Sequence, residues 1–277
     1  MALNPFILLL LSLVAGFVGA MGGMGGGIVL IPALTLFGMD IKHAIALSLV
    51  SVIATSSGSA SAYVRDRLTN LKLGMFLEMF TMLGALSGAW LTLSIRPGLL
   101  FFMLGAVLLG SAALLWARRR EEWMPLSSQD GFSRWLELEG SYPDRATGQI
   151  IAYKATRACL GGPLMFLAGM VAGLLGIGAG AVKVLIHDLV MGLPPKVSTT
   201  TSNLIIGVTA LAGTSVYLAN GLIEPGPAVP VILGVVLGAF AGTRVLVRLP
   251  NRAVRRFFLA LLLVLGAEVL LRGFRGT

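Results

Sequence analysis

The chain is poor in charge and contains almost no cysteine. Of its 277 residues only 12% are charged, whereas 56% are hydrophobic and the mean hydropathy is +0.91. Soluble domains carry about 25% charged residues, so this composition indicates a protein of the lipid bilayer. The single cysteine, Cys159, excludes an internal disulfide and any metal site built from several cysteines.

Acidic residues are scarce relative to basic ones, with 12 Asp and Glu against 21 Lys and Arg. In a soluble protein this balance would suggest nucleic acid as a partner. In a membrane chain we interpret it as basic cytoplasmic loops that face anionic lipid. We therefore expect the lipid bilayer, and no nucleic acid, among the partners. The N-terminus lacks a positive region and a small-x-small cleavage site, so no removable signal peptide is expected.

Apolar runs of about 20 residues predict six membrane-spanning helices, because the hydrocarbon core is about 30 Å thick and a helix rises about 1.5 Å per residue. One of these runs contains Glu78 and another contains Glu268. The predicted spans are residues 44–64, 73–95, 97–117, 197–223, 225–243 and 253–271.

Two further apolar segments, residues 1–39 and 159–192, are interrupted by glycine. The first contains GGMGGG at residues 22–27 and the second contains GIGAG at residues 176–180. A helix with so much glycine unwinds, and irregular backbone at membrane depth is tolerated only when protein buries it or a polar cavity adjoins it. We therefore predict that each segment is a hairpin of two shorter helices with an irregular tip.

The chain also repeats itself. AGFVGAMGGMGGG at residues 15–27 aligns without a gap on AGMVAGLLGIGAG at residues 168–180, with six identities in thirteen positions. The offset of 153 becomes 154 downstream, where Ser48 aligns with Ser202, Tyr63 with Tyr217, and LGALSG with LGAFAG. A nearly constant offset at four separate places indicates a duplication.

Charge selects the orientation of the two repeats. If each broken segment enters the membrane and returns, 16 Lys and Arg lie on one side and four on the other, with Lys183 left out. If each broken segment crosses once, the division is only 12 to 8. Because positive charge favours the cytoplasmic side, we predict inverted repeats with both termini outside. The count does not separate a re-entrant hairpin from two short crossings.

The predicted fold class is therefore an all-α polytopic membrane protein with two inverted-topology repeats. Each repeat has a glycine-broken, re-entrant hairpin and three transmembrane helices. Residues 1–117 form the first repeat, residues 118–157 a cytoplasmic loop and residues 158–277 the second repeat. Within the loop, residues 133–142 and 148–156 read as two short strands around a turn. We expect a multi-pass protein of the cell (inner) membrane.

The two glycine tips are candidates for a substrate site near the bilayer midplane. A half-helix that begins at Gly27 or Gly180 presents unpaired N–H groups and the positive end of its dipole, which favours an anion. The alternative is that the glycines only permit close helix packing. The tip residues predicted to bind substrate are Gly25, Gly26, Gly27, Gly178, Ala179 and Gly180.

Lys183 lies one turn beyond the second tip, inside an apolar stretch. A lysine at that depth is costly and usually faces a functional cavity, although a long side chain can also extend to the membrane surface. We predict that Lys183 binds substrate.

Three further ionisable residues are candidates for proton coupling. His187 follows Lys183 by four residues and so shares its helix face, and Asp188 comes next. The two could form a proton relay or a cluster at the membrane surface. Glu78, inside its span, is the third candidate, with an ion pair to Lys72 or Arg65 as the alternative.

Uncharged polar side chains complete the candidate site. Ser48 in the first half, and Ser202 with Asn203 in the second, could donate hydrogen bonds to anion oxygens. They could equally bond back to carbonyls of their own helices. No metal and no cofactor are expected, and the sequence does not indicate an oligomeric state.

Taken together, these features resemble the TauE/SafE sulfite exporter family (TSUP transporters). The resemblance is carried by GGMGGGIVLIP at residues 22–32, SLVSVIAT at 48–55, AGLLGIGAGAVKV at 172–184, TTSNLIIG at 200–207 and SYPDRATGQIIAY at 141–153. It implies export of sulfite or an organosulfonate, driven by a proton gradient. Relatives that carry thiosulfate use several cysteines, and this chain has only Cys159.

Two other functions remain as alternatives to the predicted transporter, which is not an enzyme. An intramembrane enzyme of the undecaprenyl-pyrophosphate phosphatase type also has inverted repeats, but it needs a Glu-rich site. The intramembrane acids here, Glu78, Asp188 and Glu268, occupy unrelated positions. An anion channel would need a ring of like residues around a pore, which the sequence does not suggest.

Overall fold

A computed structural model describes residues 4–22, 25–117, 128–144, 149–246 and 251–275. Within these ranges the chain is almost entirely helical. The helices are α1 (Pro5–Gly22), α2 (Gly27–Leu36), α3 (Ile41–Arg65), α4 (Leu71–Ser94), α5 (Pro97–Ala117), α6 (Gly131–Trp135), α7 (Ala158–Leu175), α8 (Gly180–Leu185), α9 (Pro195–Ala219), α10 (Pro225–Leu246) and α11 (Asn251–Arg275). One hairpin is formed by β1 (Glu139–Asp144) and β2 (Gln149–Lys154), and a π-helical turn, Ile186–Val190, continues α8.

The residues of the six predicted spans form the helices α3, α4, α5, α9, α10 and α11. Among the described residues, six helices are long and apolar enough to cross a membrane, namely α3, α4, α5, α7, α9 and α10. Together with the near absence of sheet, they make the chain an all-α polytopic membrane protein.

Each glycine-rich segment is a long helix followed by a short one. Helix α1 ends at Gly22 and α2 begins at Gly27, whereas α7 ends at Leu175 and α8 begins at Gly180. Gly26 lies against Ala15, so the chain turns back after the first break. At about 1.5 Å per residue, α2 and the α8–π segment are each about half as long as the hydrocarbon core is thick.

Glycines bring the halves of the duplication into backbone contact. A Cβ atom added to Gly84 of α4 would lie 2.0 Å from the Phe166 carbonyl oxygen of α7. At the repeat offset, a Cβ added to Gly238 of α10 would lie 2.0 Å from the Leu13 carbonyl oxygen of α1. Helix α1 therefore packs on α10, and α7 packs on α4, through equivalent glycine contacts.

Helices α3 and α9 cross between the repeats in opposite directions. Gly213 of α9 contacts Leu49, and Gly207, earlier in α9, contacts Ser56, later in α3. Because the residue numbers of the contacts increase along one helix as they decrease along the other, the two helices are antiparallel. This arrangement fits inverted repeats, which stay a prediction with respect to the membrane.

The central loop differs in part from its prediction. The strands β1 and β2 pair antiparallel, with Gly140 opposite Tyr153. The expected first strand, residues 133–142, was wrong at its start, because Gly131–Trp135 is helix α6. Asp130 caps that helix by accepting a hydrogen bond from the Ser133 amide at 3.1 Å, which favours a helical start. Residues 145–147 of the predicted turn, and residue 148 at the start of the predicted second strand, lie outside the described residues.

Asp130 also ties the loop to the start of α7. Its carboxylate accepts hydrogen bonds from the Thr156 hydroxyl at 2.9 Å and from the Arg157 amide at 2.6 Å. Partial burial raises the pKa of Asp130, but the hydrogen bonds outweigh burial and hold the pKa well below its usual range. The loop is therefore docked on the helices.

The glycine contacts predict the effect of Gly84→Ala. The added methyl has no room against the Phe166 carbonyl, and overpacking of this kind costs about 1–3 kcal/mol. We expect a lower midpoint of thermal unfolding in detergent. Gly110→Ala in α5, where an added Cβ meets nothing within 4 Å, is the matched control and should be neutral or slightly stabilising. Equal midpoints for the two variants would contradict the packing argument.

Candidate functional site

The two glycine tips meet in the middle of the molecule. A Cβ atom added to Gly27 would lie 2.3 Å from the Ser48 hydroxyl oxygen and 2.6 Å from the Gly176 carbonyl oxygen. Ser48 itself donates a hydrogen bond to that carbonyl at 2.7 Å. The first tip, helix α3 and the second tip therefore share one contact, and glycine at position 27 is needed for it.

Hydroxyl groups satisfy the free carbonyls at the end of α7. A helix leaves its last four C=O groups without partners inside the helix. Tyr217 of α9 donates to the Gly173 carbonyl at 2.8 Å, and Thr92 of α4 donates to the Leu174 carbonyl at 3.0 Å. Ser48 supplies the third bond, to Gly176. Sequence reasoning missed Tyr217 and Thr92, although the repeat match of Tyr217 with Tyr63 pointed to the former.

The second tip has an unusual backbone. Gly176 and Gly178 have φ of 69° each, and Ala179 has φ of 48°, which lies in the left-handed region that favours glycine. Its repeat partner Gly26 has φ of −68°. The two tips therefore differ in conformation as well as in sequence, and the first contains its own left-handed residue, Gly25, at φ of 78°.

Lys183 is fully buried between helices. Its side chain is 0% exposed, and Nζ donates a hydrogen bond to the Thr209 hydroxyl at 2.9 Å. Thr209 in turn donates to the Ile205 carbonyl of its own helix at 2.6 Å. Thr209 was missed by sequence reasoning, although it follows Ser202 by seven residues and so shares its helix face.

His187 lies one turn beyond Lys183 and is also fully buried. Its Nδ1 atom is 3.3 Å from the Ser198 carbonyl oxygen, whereas Nε2 is buried with no hydrogen-bond partner among the described residues. The ring belongs to the π-helical turn, a feature that often accompanies functional sites. Asp188 follows in the same turn and is half-buried.

Glu78 approaches this group from α4. Its carboxylate interacts electrostatically with Lys183, and Oε1 is buried with no hydrogen-bond partner among the described residues. Lys72, one of the two partners considered for Glu78, forms an ion pair with Glu137 of the central loop instead. The structure thus places the half-buried Glu78 within electrostatic reach of Lys183, which shares a buried helix face with His187.

The hydroxyls at the start of α9 have divided roles. Thr200 donates to the Leu68 carbonyl at 2.8 Å, and the Thr201 hydroxyl accepts from the backbone N–H of Asn70 at 3.1 Å. Both residues therefore hold the α3–α4 connection. Ser202 and Asn203 are buried, at 1% and 5% exposed. The Ser202 hydroxyl has no hydrogen-bond partner in the described ranges. Ser202 corresponds to Ser48, which donates to the Gly176 carbonyl. The repeat equivalent of Gly176 is residue 23, which lies outside those ranges.

The ionisable cluster has no counterpart at the repeat-related place. At the repeat offset, Lys183 corresponds to Leu30 and His187 to Leu34, both 0% exposed. Glu78 of the first half corresponds to Ile232 of α10 in the second half. One of the two repeat-related places therefore carries ionisable side chains, whereas the other is apolar.

A large cavity lies apart from all the predicted site residues. Its volume is about 710 Å³, and it opens near the start of α1, the α2–α3 connection and the α9–α10 connection. The polar residues around it are Asn4, Asp40, His43 and Glu224.

Comparison with known proteins agrees with this architecture. The family model described as "Sulfite exporter TauE/SafE" matches residues 8–269. The chain is 25% identical to the probable membrane transporter protein YunE of Bacillus subtilis (strain 168), over 96% of this chain and 97% of that protein. It is 27% identical to the probable membrane transporter protein YdhB of the same organism, over 86% and 87% of the two chains. No solved structure matches.

The Lys183 contact predicts the effect of Thr209→Val. This change leaves a buried donor without its acceptor, which costs about 1–3 kcal/mol, whereas Thr209→Ser keeps the hydroxyl. We expect Thr209→Val, but not Thr209→Ser, to lower the thermal unfolding midpoint of the purified protein. Thr214→Val is the control, because that hydroxyl bonds back to Ala210 of its own helix. A drop of the same size in both valine variants would argue against the Lys183 bond.

Proposed function

We propose that this chain, which belongs to the sulfite exporter TauE/SafE family of membrane transporters, carries sulfite or a small organosulfonate outward across the cell membrane. The family and its transporter relatives support membrane transport. The identity of the anion, the direction and the coupling to protons are the proposal. The observation that carries it is a lysine buried completely inside a broken-helix membrane protein.

Burying a lysine is energetically costly unless the lysine contacts an anion. Within a membrane protein an ionisable side chain is costly and marks a substrate or ion path by default. Lys183 has a hydroxyl neighbour in Thr209, which can share an anion's oxygens with it. A sulfonate or sulfite group offers several acceptor oxygens, so one cation and one hydroxyl make a suitable pair of contacts.

The proposed site lies between α8 and α9 of the second half and α4 of the first half. The equivalent place in the first half is filled by Leu30 and Leu34, so one anion would bind per chain rather than on the axis between the tips. In this proposal the tips at residues 25–27 and 178–180 form the wall of the path, next to Ser48. Ser202 and Asn203 lie on α9 within the same half and are proposed to face the anion as it passes.

Proton coupling is proposed to use His187 and Glu78, with Asp188 as an accessory group. His187 Nε2 and Glu78 Oε1 are buried atoms that can accept a proton, and the described residues offer them no hydrogen-bond partner. Both groups interact electrostatically with Lys183. Protonation of either group would therefore change the field at the proposed anion site, which is the requirement for coupling.

The central loop is proposed to face the cytoplasm. Sixteen basic residues belong to the side of the loop in the inverted arrangement, against Lys42, Arg96, Arg272 and Arg275 on the other. The cavity near Asn4 and Glu224 would then open to the outside.

Transport in liposomes tests the role of Lys183. With an imposed pH gradient we expect sulfite flux in the native protein, a decrease of at least tenfold in Lys183→Ala and retained flux in Lys183→Arg, because the cation is the required feature. Lys196→Ala removes an exposed lysine from the start of α9 and should behave as native.

The outcomes separate two errors. Native flux that survives Lys183→Ala would keep the transporter and discard Lys183 as its site. Absence of sulfite and sulfonate flux in well-folded native protein would contradict the substrate class instead.

His187→Gln tests the coupling separately from binding. We expect this variant to keep exchange of internal for external anion, because Lys183 is intact, and to lose the acceleration of net flux by a pH gradient. Net flux and exchange are measured in the same vesicles with labelled sulfite. Acceleration equal to that of native protein would exclude His187 from coupling.

A further inference from the structure

The two ends of the molecule differ although the halves repeat. The cavity of about 710 Å³ lies at one end of the molecule, and its lining includes Gly38, His43, Leu222 and Glu224. The repeat offset assigns each of these positions an equivalent at the opposite end, which carries the central loop and is called the loop end. Gly38 corresponds to Gly192, and both have positive φ, at 85° and 70°. His43 corresponds to Val197, and Glu224 to Asn70.

The equivalent positions at the loop end are closed. Val197 is 0% exposed and Asn70 is 8% exposed, whereas the side chain of His43 is 37% exposed and Glu224 is exposed. Leu193, the equivalent of Met39, is also 0% exposed. The same place in the fold is therefore an open cavity at one end and a filled core at the other.

Side chains of the β-hairpin, and Leu138 just before it, fill the loop end. Leu138, Tyr142 and Tyr153 belong to one hydrophobic cluster with Leu193 and Val197. These three residues come from the central loop, whereas the residues that line the cavity lie on helices and on the connections next to them. The loop is therefore the element that makes the two ends different.

Tyr153 is the innermost anchor of the hairpin. Its hydroxyl oxygen accepts a hydrogen bond from Asn70 Nδ2 at 3.1 Å, and the side chain is 6% exposed. Burial raises the pKa of the Tyr153 phenol, so the group stays neutral in its apolar surroundings. Gly140 permits this position, because a Cβ there would lie 2.6 Å from the Tyr153 hydroxyl.

Other contacts of this part of the loop lie at its edges. The Thr156 amide donates to the Met191 carbonyl at 3.1 Å, and Lys72 pairs with Glu137 at the surface. Local opening of a two-stranded element costs less free energy than global unfolding, so the hairpin can withdraw without unfolding the helices beneath it.

We infer that the two ends are the two mouths of one transport path, and that the β-hairpin is the gate that closes the mouth at the loop end. This inference rests on the proposed transport function. The structure has the mouth near His43 open and the mouth near Val197 closed by the buried cluster to which Tyr153 belongs. Withdrawal of the hairpin would open the mouth at the loop end.

Thiol labelling tests the gate without any substrate. In a Cys159→Ser background, Val197→Cys and His43→Cys place matched thiols at the two ends. Purified protein in detergent is treated with an anionic methanethiosulfonate, which reaches both ends. We expect His43→Cys to react at least tenfold faster than Val197→Cys. Adding Tyr153→Ala should raise the rate of Val197→Cys at least tenfold and leave His43→Cys unchanged.

The control variant is Ile150→Ala, on the same strand but 77% exposed, which should leave Val197→Cys protected. An unchanged His43→Cys rate and a monodisperse elution profile report that each variant is folded. A second opening variant, Gly140→Val, displaces the Tyr153 hydroxyl without removing the ring and should also raise the Val197→Cys rate.

Two results would overturn the gate. One is Val197→Cys reacting as fast as His43→Cys behind the native hairpin. The other is Val197→Cys staying protected in both Tyr153→Ala and Gly140→Val. Labelling needs no anion flux, so the gate and the substrate are tested separately. If labelling responds as expected but the protein carries no sulfite, the proposed substrate is wrong and the gate stands. If the protein carries sulfite but Val197→Cys stays protected in every variant, the gate is wrong and the proposed substrate stands.

Discussion

The structure depends on how a membrane protein satisfies backbone groups where a helix stops inside the packed protein. Lipid offers no hydrogen bonds, so the free carbonyls at the end of α7 need partners from the protein. Ser48, Thr92 and Tyr217 supply them from three different helices. Those three bonds fix α3, α4 and α9 around the second tip, and they place the first tip against it through Gly27. The packing of both halves follows from this one requirement.

Close helix contact is the second consequence of a lipid environment. Without a hydrophobic force between helices, association relies on close packing, and small residues permit it. Gly84 and Gly238 bring the backbones of α4 and α10 onto α7 and α1. Each contact joins one half of the duplication to the other. The halves are therefore interleaved, and neither has its own separate core.

Duplication and divergence explain where chemistry is placed. Two copies of one fold supply two equivalent hairpins, but only the second carries Lys183 and His187, while the first keeps Leu30 and Leu34. An apolar copy supports the fold and an ionisable copy is available for substrate. The central loop extends the same asymmetry to the ends of the molecule, because its hairpin covers one end and nothing equivalent covers the other in the described residues.

The sequence alone determined the membrane class, the helical spans and the two glycine breaks, because hydropathy and glycine content act locally along the chain. It also marked Lys183 as a buried cation, since a lysine in an apolar run stands out without any structure. Tertiary structure decided the partners: Thr209 for Lys183, Gly176 for Ser48 and Asn70 for Tyr153. These pairs are separated by 26, 128 and 83 positions, and only the packing of helices brings them together. The short α6 was decided by the Asp130 cap, whose carboxylate competes locally with the strand pattern that the residues otherwise suggest.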